Sequence, residues 1–193
     1  YNVDNGYFHQ FTRNTLQLNN GDNTFSEIGR LAGVEASDWS WGALFFDMNN
    51  DGLRDLYIAN GIFRDLTDQD YLQYVSSEQV LMSIMSGEEV DYAKLVEIIP
   101  SRPVKNHAYI NQGNLTFTND DSTGLLMPSF SNGSAYGDLD NDGDLDLVVS
   151  NVNMPSFVYE NHTDKKDSGN YIQFDLRGAG QNTMAIGTQI MVN

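Results

Sequence analysis

Apolar and polar positions along the chain change period twice, and each change predicts a different element. In DWSWGALFFD, Trp39, Trp41, Ala43 and Phe45 share one face at a period of two, while Leu44 and Phe46 fall on the other. Both faces are apolar, which predicts a strand buried on two sides and core positions for Trp39 and Trp41. LYIAN (56–60) and LVVSN (147–151) are continuous apolar runs of the same kind, and LQLNNG (16–21) and AYINQG (108–113) end in turn residues. From Asp68 to Ser86 the period shifts towards 3.6, with Leu72, Val75, Leu81, Ile84 and Met85 on one side, Thr67 or Asp68 as N-cap and Gly87 past the end. This predicts one helix, with Met82 and Met85 in the core. A second, from about Glu88 to Ile99, uses Val90, Leu95, Val96 and Ile99 and stops at Pro100.

The strand-like segments recur. NTLQLNNGDNTFSEI from Asn14 lies over NHAYINQGNLTFTND from Asn106 at an offset of 92, and GALFFDMNNDGLRDLYIAN from Gly42 lies over GSAYGDLDNDGDLDLVVSN from Gly133 at an offset of 91. A third copy begins at FVYEN, where Asn161 follows Asn111 by 50 residues. The unit is therefore about 50 residues, and the first copy carries roughly 40 extra, the helical stretch, read as an insertion between repeats packed on the main body. Short strands buried on both faces and repeated in this way fit the blades of a propeller better than a sandwich, whose strands alternate polar and apolar. The expected fold class is all-β, a partial β-propeller with a helical insertion between blades. The expected organisation is blade material with a first loop at 1–61, the insertion at 62–105, a blade with a second loop and the start of the next at 106–165, and a further β segment at 166–193.

Two nine-residue stretches between these strands carry the chemistry. Asp47, Asn49, Asp51 and Asp55 in one, and Asp138, Asp140, Asp142 and Asp146 in the other, place oxygen-bearing side chains at positions 1, 3, 5 and 9, with Gly52 or Gly143 at position 6. A hairpin turn without an ion is one reading. The repetition of the pattern in register favours the other, an oxygen cage for a hard divalent cation completed by the position-7 carbonyl of Leu53 or Asp144. The first loop holds three carboxylates and the second five, so tighter binding is expected in the second, with the Asp144 side chain free to turn to solvent. An EF-hand would close with Glu at position 12 and enter a helix, whereas position 12 here is Ile58 or Val149, in strands.

A DxDxDGxxD loop between buried strands, within SDWSWGALFFDMNNDGLRDLYIANGIFRDLTDQDY and its second copy, resembles the FG-GAP or VCBS repeat, the calcium-loop blade also found in integrin α propellers. The tail YIQFDLRGAGQNTMAIGTQIMV, through Leu176, Gly178, Asn182, Ile186 and Gly187, resembles the start of an ASPIC/UnbV domain, as in cartilage acidic protein and its bacterial relatives. The resemblance implies a propeller of about seven blades in the full protein, followed by a small β domain. It also implies two Ca2+ sites, one on Asp47, Asn49, Asp51, the Leu53 carbonyl and Asp55, the other on Asp138, Asp140, Asp142, the Asp144 carbonyl and Asp146.

Composition narrows the function. The 193 residues carry 10 Lys and Arg against 27 Asp and Glu, a net charge of −17, and the acids divide into 20 Asp and only 7 Glu. Asp and Asn favour turns and oxygen-ligand loops, and eight of the aspartates lie in the two loops, where two calcium ions would bring the charge to −13. A chain this acidic, whose sole adjacent basic pair is Lys165-Lys166, lacks the footprint needed to bind nucleic acid. No apolar run reaches the roughly 20 residues that span a bilayer, and the lack of cysteine removes disulfides and thiolate chemistry. His9, His107 and His162 have no ligand spacing and read as surface or packing residues. The N-x-S/T triplets at Asn114, Asn132 and Asn161 carry little weight, since Asn132 and Asn161 match repeat positions that want turn residues.

The expected function is a non-enzymatic, extracellular, cell-surface or periplasmic calcium-binding module that meets a protein or glycan, the calcium being structural because no nucleophile or base lies beside it. Two alternatives stand beside it: a propeller enzyme cleaving acidic polysaccharide, for which Arg54 is the only basic residue in either loop, and a structural spacer. About three units cannot close a ring, so the remaining blades of a larger chain, or a partner subunit, are expected to cover the edges.

Overall fold

Six consecutive residues, Asp55 to Asn60, are all buried, and the molecule is assembled around them. The computed structural model describes residues 12–85, 92–163, 172 and 174–192. In chain order these form β1 (Gln17–Asn19), β2 (Phe25–Glu27), α1 (Gly29–Ala32), β3 (Ser40–Phe46), β4 (Asp55–Asn60), α2 (Gln69–Val75), α3 (Glu78–Met85), α4 (Tyr92–Glu97), β5 (His107–Asn111), β6 (Phe117–Asn119), β7 (Ser131–Gly137), β8 (Asp146–Asn151) and β9 (Phe157–Tyr159). The strands make three antiparallel sheets in the orders β1-β2, β3-β4-β5-β6 and β7-β8-β9.

Strand β4 lies inside because its alternate residues serve two apolar clusters. Tyr57 and Ala59 pack with Phe46, Met48, Ala108, Leu147 and Val149 towards the third sheet, whereas Leu56 and Ile58 pack with Ala32, Val34 and Tyr109 on the opposite side. Each aliphatic side chain so buried contributes about 1.5–3 kcal/mol. The two-sided burial expected of LYIAN is therefore present. It does not extend to β3, where Trp41 is 54% exposed and Phe45 also faces water. Trp39 is half-buried, and the two indoles stack on each other at 5.9 Å instead of filling the core. The strand sits at the edge of its sheet, and the chain shifts register between Ser40 and Gly42, so Trp41 lies at the rim of that face, held by Trp39 and by its Nε1 donating to the Gly61 carbonyl, while Phe45 meets Phe117.

The repeat is visible as matching registers. Gly42 faces Ala59 and Phe46 faces Asp55, just as Gly133 faces Ser150 and Gly137 faces Asp146, with a register shift at the same place in each pair. Spatial units are phased differently from the sequence copies. FVYEN does not begin a new sheet: β9 is the third strand of the β7-β8-β9 sheet, as β5 is the third in its own. Likewise the helical insertion does not separate two sheets but interrupts one, since it joins β4 to its hydrogen-bonded neighbour β5. In the second copy the same connection is a short turn. Asn151 Nδ2 donates to the Pro155 carbonyl at 2.7 Å there, and Asn60 Nδ2 donates to the Lys105 carbonyl at 3.0 Å across the insertion. Turn motifs do not mark where a sheet begins: Asn111-Gln112-Gly113 closes a hairpin within the sheet that β3 and β4 already form.

At the root of the insertion the Asn60 amide donates to Asn106 Oδ1, and Asn106 Nδ2 reaches the hydroxyls of Ser129 and Ser131, all buried. Gly61, at φ +119°, is required at the exit: a Cβ there would stand 2.6 Å from the Ser129 carbonyl oxygen. The single helix expected over 68–86 is two. Asp68 caps α2 through Tyr71 N as anticipated, but Ser76 turns its hydroxyl back onto the Leu72 and Gln73 carbonyls and ends it. Met82 and Met85 are not core residues, Met85 being 86% exposed. Of the helix expected over 88–99, α4 is seen at Tyr92–Glu97, and residues 88–91, with Val90, lie outside the described residues. The insertion returns through Arg64, which donates to the Glu97 and Ile99 carbonyls, before Pro100. Residues 1–11 and 164–171, with His9 and Lys165-Lys166, lie outside the described residues. The described part of 166–193 contains no strand, and Ile172, Met184, Ile186 and Met191 there are exposed. None of the described helices is long and apolar enough to cross a membrane.

His107, opposite Ile58 and stacked on Tyr109 at 5.6 Å, has its Nδ1 withdrawn from water without a partner. Burial pushes its pKa below the ordinary 6.5, against the opposing pull of the Asn119 side chain and of Asp121 and Asp38. The unfolded chain therefore binds a proton before the folded one does, so stability present above pH 6.5 is lost as pH falls towards the folded value. In chelator, the melting temperature of His107→Gln should fall less than that of the parent between pH 7.5 and 5.5, and parallel curves would refute this account.

Candidate metal centres

The two acidic loops connect β3 to β4 and β7 to β8, and both fold the same way. Position 4 has positive φ, 56° at Asn50 and 65° at Asn141, and so does the position-6 glycine, 84° at Gly52 and 95° at Gly143. Two left-handed residues in so short a span reverse the chain tightly between the paired strands, and glycine and asparagine are the residues that adopt this backbone with least strain.

The second loop gathers carboxylates that have not satisfied one another. Asp138, Asp140 and Asp146 each offer an oxygen, all within 4.8 Å of one another. Asp138 Oδ2 accepts from Gly143 N at 3.3 Å, but Oδ1 is cut off from water and has no hydrogen-bond partner. An orphaned buried carboxylate oxygen beside two further carboxylates is unfavourable as it stands, and at 4 Å like charges repel by about 1 kcal/mol even in water. Loss of solvation, with the charges of Asp142 and Asp146 nearby, holds the Asp140 carboxyl above its ordinary pKa. A hard divalent cation supplies what this group lacks, so the residues present fit one. Asp142 instead accepts from the Asp144 amide at 3.0 Å.

The first loop closes on itself. Asp47 accepts from the Asp51 and Gly52 amides at 3.2 and 2.9 Å, Asp51 accepts from Leu53 N at 2.8 Å, and Asn49 Nδ2 donates to Asp51 Oδ2 at 3.1 Å. Where the second loop has a carboxylate at position 3, the uncharged Asn49 donates a hydrogen bond to its neighbour's carboxylate instead of adding a like charge. Asp55 is buried below, apart from these residues in role. Burial raises its pKa, as do the charges of Asp51 and Asp47, while hydrogen bonds from the Asn111 and Met48 amides act in the opposite direction.

Position 9 has a common task in both loops. Asp55 receives Met48 N at 2.9 Å and Asn111 N at 2.8 Å, and Asp146 receives Leu139 N and Asn161 N, both at 2.8 Å. Each aspartate thus ties its loop to the end of the third strand. The asparagines are recruited as well: Asn111 Nδ2 donates to the Arg54 carbonyl, and Asn161 Nδ2 to those of Leu145 and Met48. Reading Asn111 and Asn161 only as turn residues missed this, although their 50-residue spacing signals a shared role. The Asp144 side chain is not turned to solvent: it is fully buried and accepts from Asn50 Nδ2 of the first loop.

The family model for the FG-GAP-like repeat matches residues 5–58 and 95–149, more than half of the chain and both loops. Comparisons with curated proteins and with solved structures return no significant match.

Proposed function

The chain belongs to the FG-GAP-like repeat family, and from that premise we propose that it is a calcium-binding propeller module working outside the cytosol, which meets a protein or glycan ligand without transforming it. The observation that carries the calcium reading is the orphaned Asp138 Oδ1 beside Asp140 and Asp146. Such repeats often bind calcium and are typical of extracellular proteins, where millimolar calcium suits loops of this affinity class, with dissociation constants of about 10⁻⁴–10⁻³ M. In the second loop Asp138, Asp140, Asp142, Asp146 and the Asp144 carbonyl would hold the ion; in the first, Asp47, Asn49, Asp51, Asp55 and the Leu53 carbonyl. The ion supplies charge neutralisation and cross-links the loop. The propeller reading is supported by sheets of matching register whose first strands, β3 and β7, run against each other, Gly42 lying against Gly133. In it, β1-β2 is the outer part of one blade and each longer sheet a blade of its own.

Calorimetric titration of the chain with calcium into the millimolar range should give two ions per chain, the tighter one lost in Asp142→Ala. Absence of binding up to about 10 mM, well above that range, would reject the calcium reading. A glycan array probed with and without chelator tests the ligand, and turnover of an acidic polysaccharide would overturn the non-enzymatic reading.

A further inference from the structure

The two loops are 91 residues apart in sequence yet touch. Asn50, at position 4 of the first, donates to the buried carboxylate of Asp144, at position 7 of the second. Independently, Asn161 joins the loops from the side: its backbone N–H is held by Asp146 at 2.8 Å, while its Nδ2 donates to the Met48 carbonyl of the first loop at 2.9 Å. Thr163 Oγ1 adds a longer contact to the same carbonyl, at 3.4 Å.

We propose that calcium binding at the two loops is positively coupled through the Asn50–Asp144 and Asp146–Asn161–Met48 bridges. The proposal rests on the calcium reading above. Coordination by the Asp144 carbonyl and the Asp146 carboxylate fixes the backbone at positions 7 and 9 of the second loop. That fixes the Asp144 side chain, which holds Asn50 in the left-handed conformation separating the first loop's ligands Asn49 and Asp51. It also fixes Asn161, which holds Met48 between Asp47 and Asn49. Ordering either loop thus lowers the entropy lost on ordering the other, and linkage makes the effect equal in both directions. The first loop, with fewer carboxylates and its own internal hydrogen bonds, gains the binding order it lacks from its neighbour. Asn50 and Asn161 are positioning residues that touch no ion.

Calorimetric calcium titrations of four full-length chains test this: the parent, Asp142→Ala, Asn50→Gly and the double variant. Glycine at 50 keeps positive φ accessible while removing the donor. The expected result is that Asp142→Ala weakens the first site about 5-fold or more in the parent background, and less than half as much in the Asn50→Gly background. Because the readout is a ratio within each background, any change Asn50→Gly makes to the first site alone cancels. If Asp142→Ala does not fold, as judged by circular dichroism, Asp142→Asn replaces it. Two ions binding independently would overturn the coupling and leave the calcium reading intact. Coupling that persists undiminished in Asn50→Gly would overturn the Asn50 bridge, and a single ion per chain would overturn the coupling. No binding to any chain would reject the calcium reading itself.

Discussion

Calcium at a hundredfold excess over its dissociation constant will raise the melting temperature of the chain by about 5–10 °C for each filled loop. The figure follows from linkage, which gives about 2.7 kcal/mol at that excess, and from the 2–4 °C by which each kcal/mol moves the transition of a protein this size. Asp138→Ala and Asp142→Ala should remove the greater part of the shift, since the second loop carries more charge. The two states of the protein separate this from general damage. In chelator, Asp138→Ala removes a carboxylate whose Oδ1 has no hydrogen-bond partner and whose Oδ2 takes one long bond, 3.3 Å, from Gly143 N. The lost bond is offset by relief of the repulsion from Asp140 and Asp146, so the melt should change little, whereas in calcium the same variant should melt well below the parent. An equal deficit in both conditions would assign Asp138 to packing and remove the main support for the site.

Asp55→Ala will destabilise the chain by about 3 kcal/mol even without calcium. Its carboxylate is fully buried and accepts the amides of Met48 and Asn111, and each amide left unsatisfied costs about 1–3 kcal/mol. Part of this is offset because the charge is itself expensive to bury, as the raised pKa shows. Asp55→Asn, which keeps one acceptor and loses the charge, should fall between parent and alanine. Urea unfolding in chelator is the measurement, and an alanine variant within 0.5 kcal/mol of the parent would refute the tie between loop and third strand. Asp146, with Leu139 N and Asn161 N, should behave alike.

What sequence reading recovered was whatever depends on local spacing. The turn of each acidic loop, with glycine at position 6, is legible because a short loop between two paired strands has few ways to fold, and both copies show the same left-handed residues. The apolar run Leu56–Ala59 is legible because continuous burial leaves no polar position. What escaped depends on partners remote in sequence. Trp41 has the hydrophobicity of a core residue but lies on an edge strand, and Met82 and Met85 form an apolar stripe with nothing packed over it among the described residues. Asp144 has the local spacing of an outward-facing residue, and it is buried only because Asn50, 94 residues away, lies against it. The assignment of strands to sheets escaped for another reason: a repeat in sequence has no intrinsic starting point, and only hydrogen bonding shows where each sheet begins.

The placement of the helices inside a sheet has a consequence for synthesis. Strand β4 emerges from the ribosome with its hairpin partner β3 already made, but its other edge waits for β5 while the 46 residues from Gly61 to Asn106 are translated. At 5–20 residues per second that interval is about 2–9 s, far longer than hairpin formation takes. Throughout it a strand destined for burial at every position presents unpaired amides and carbonyls to its surroundings, where a neighbouring nascent chain could pair with it. Short helices built from local contacts occupy the interval, and once residues 97–99 are made Arg64 can close the stalk on their carbonyls, ahead of the Asn60–Asn106 bond that forms as β5 arrives. A variant with the insertion cut to the five-residue turn of the second copy would close the sheet without delay, and should refold faster and leave less material aggregated during translation.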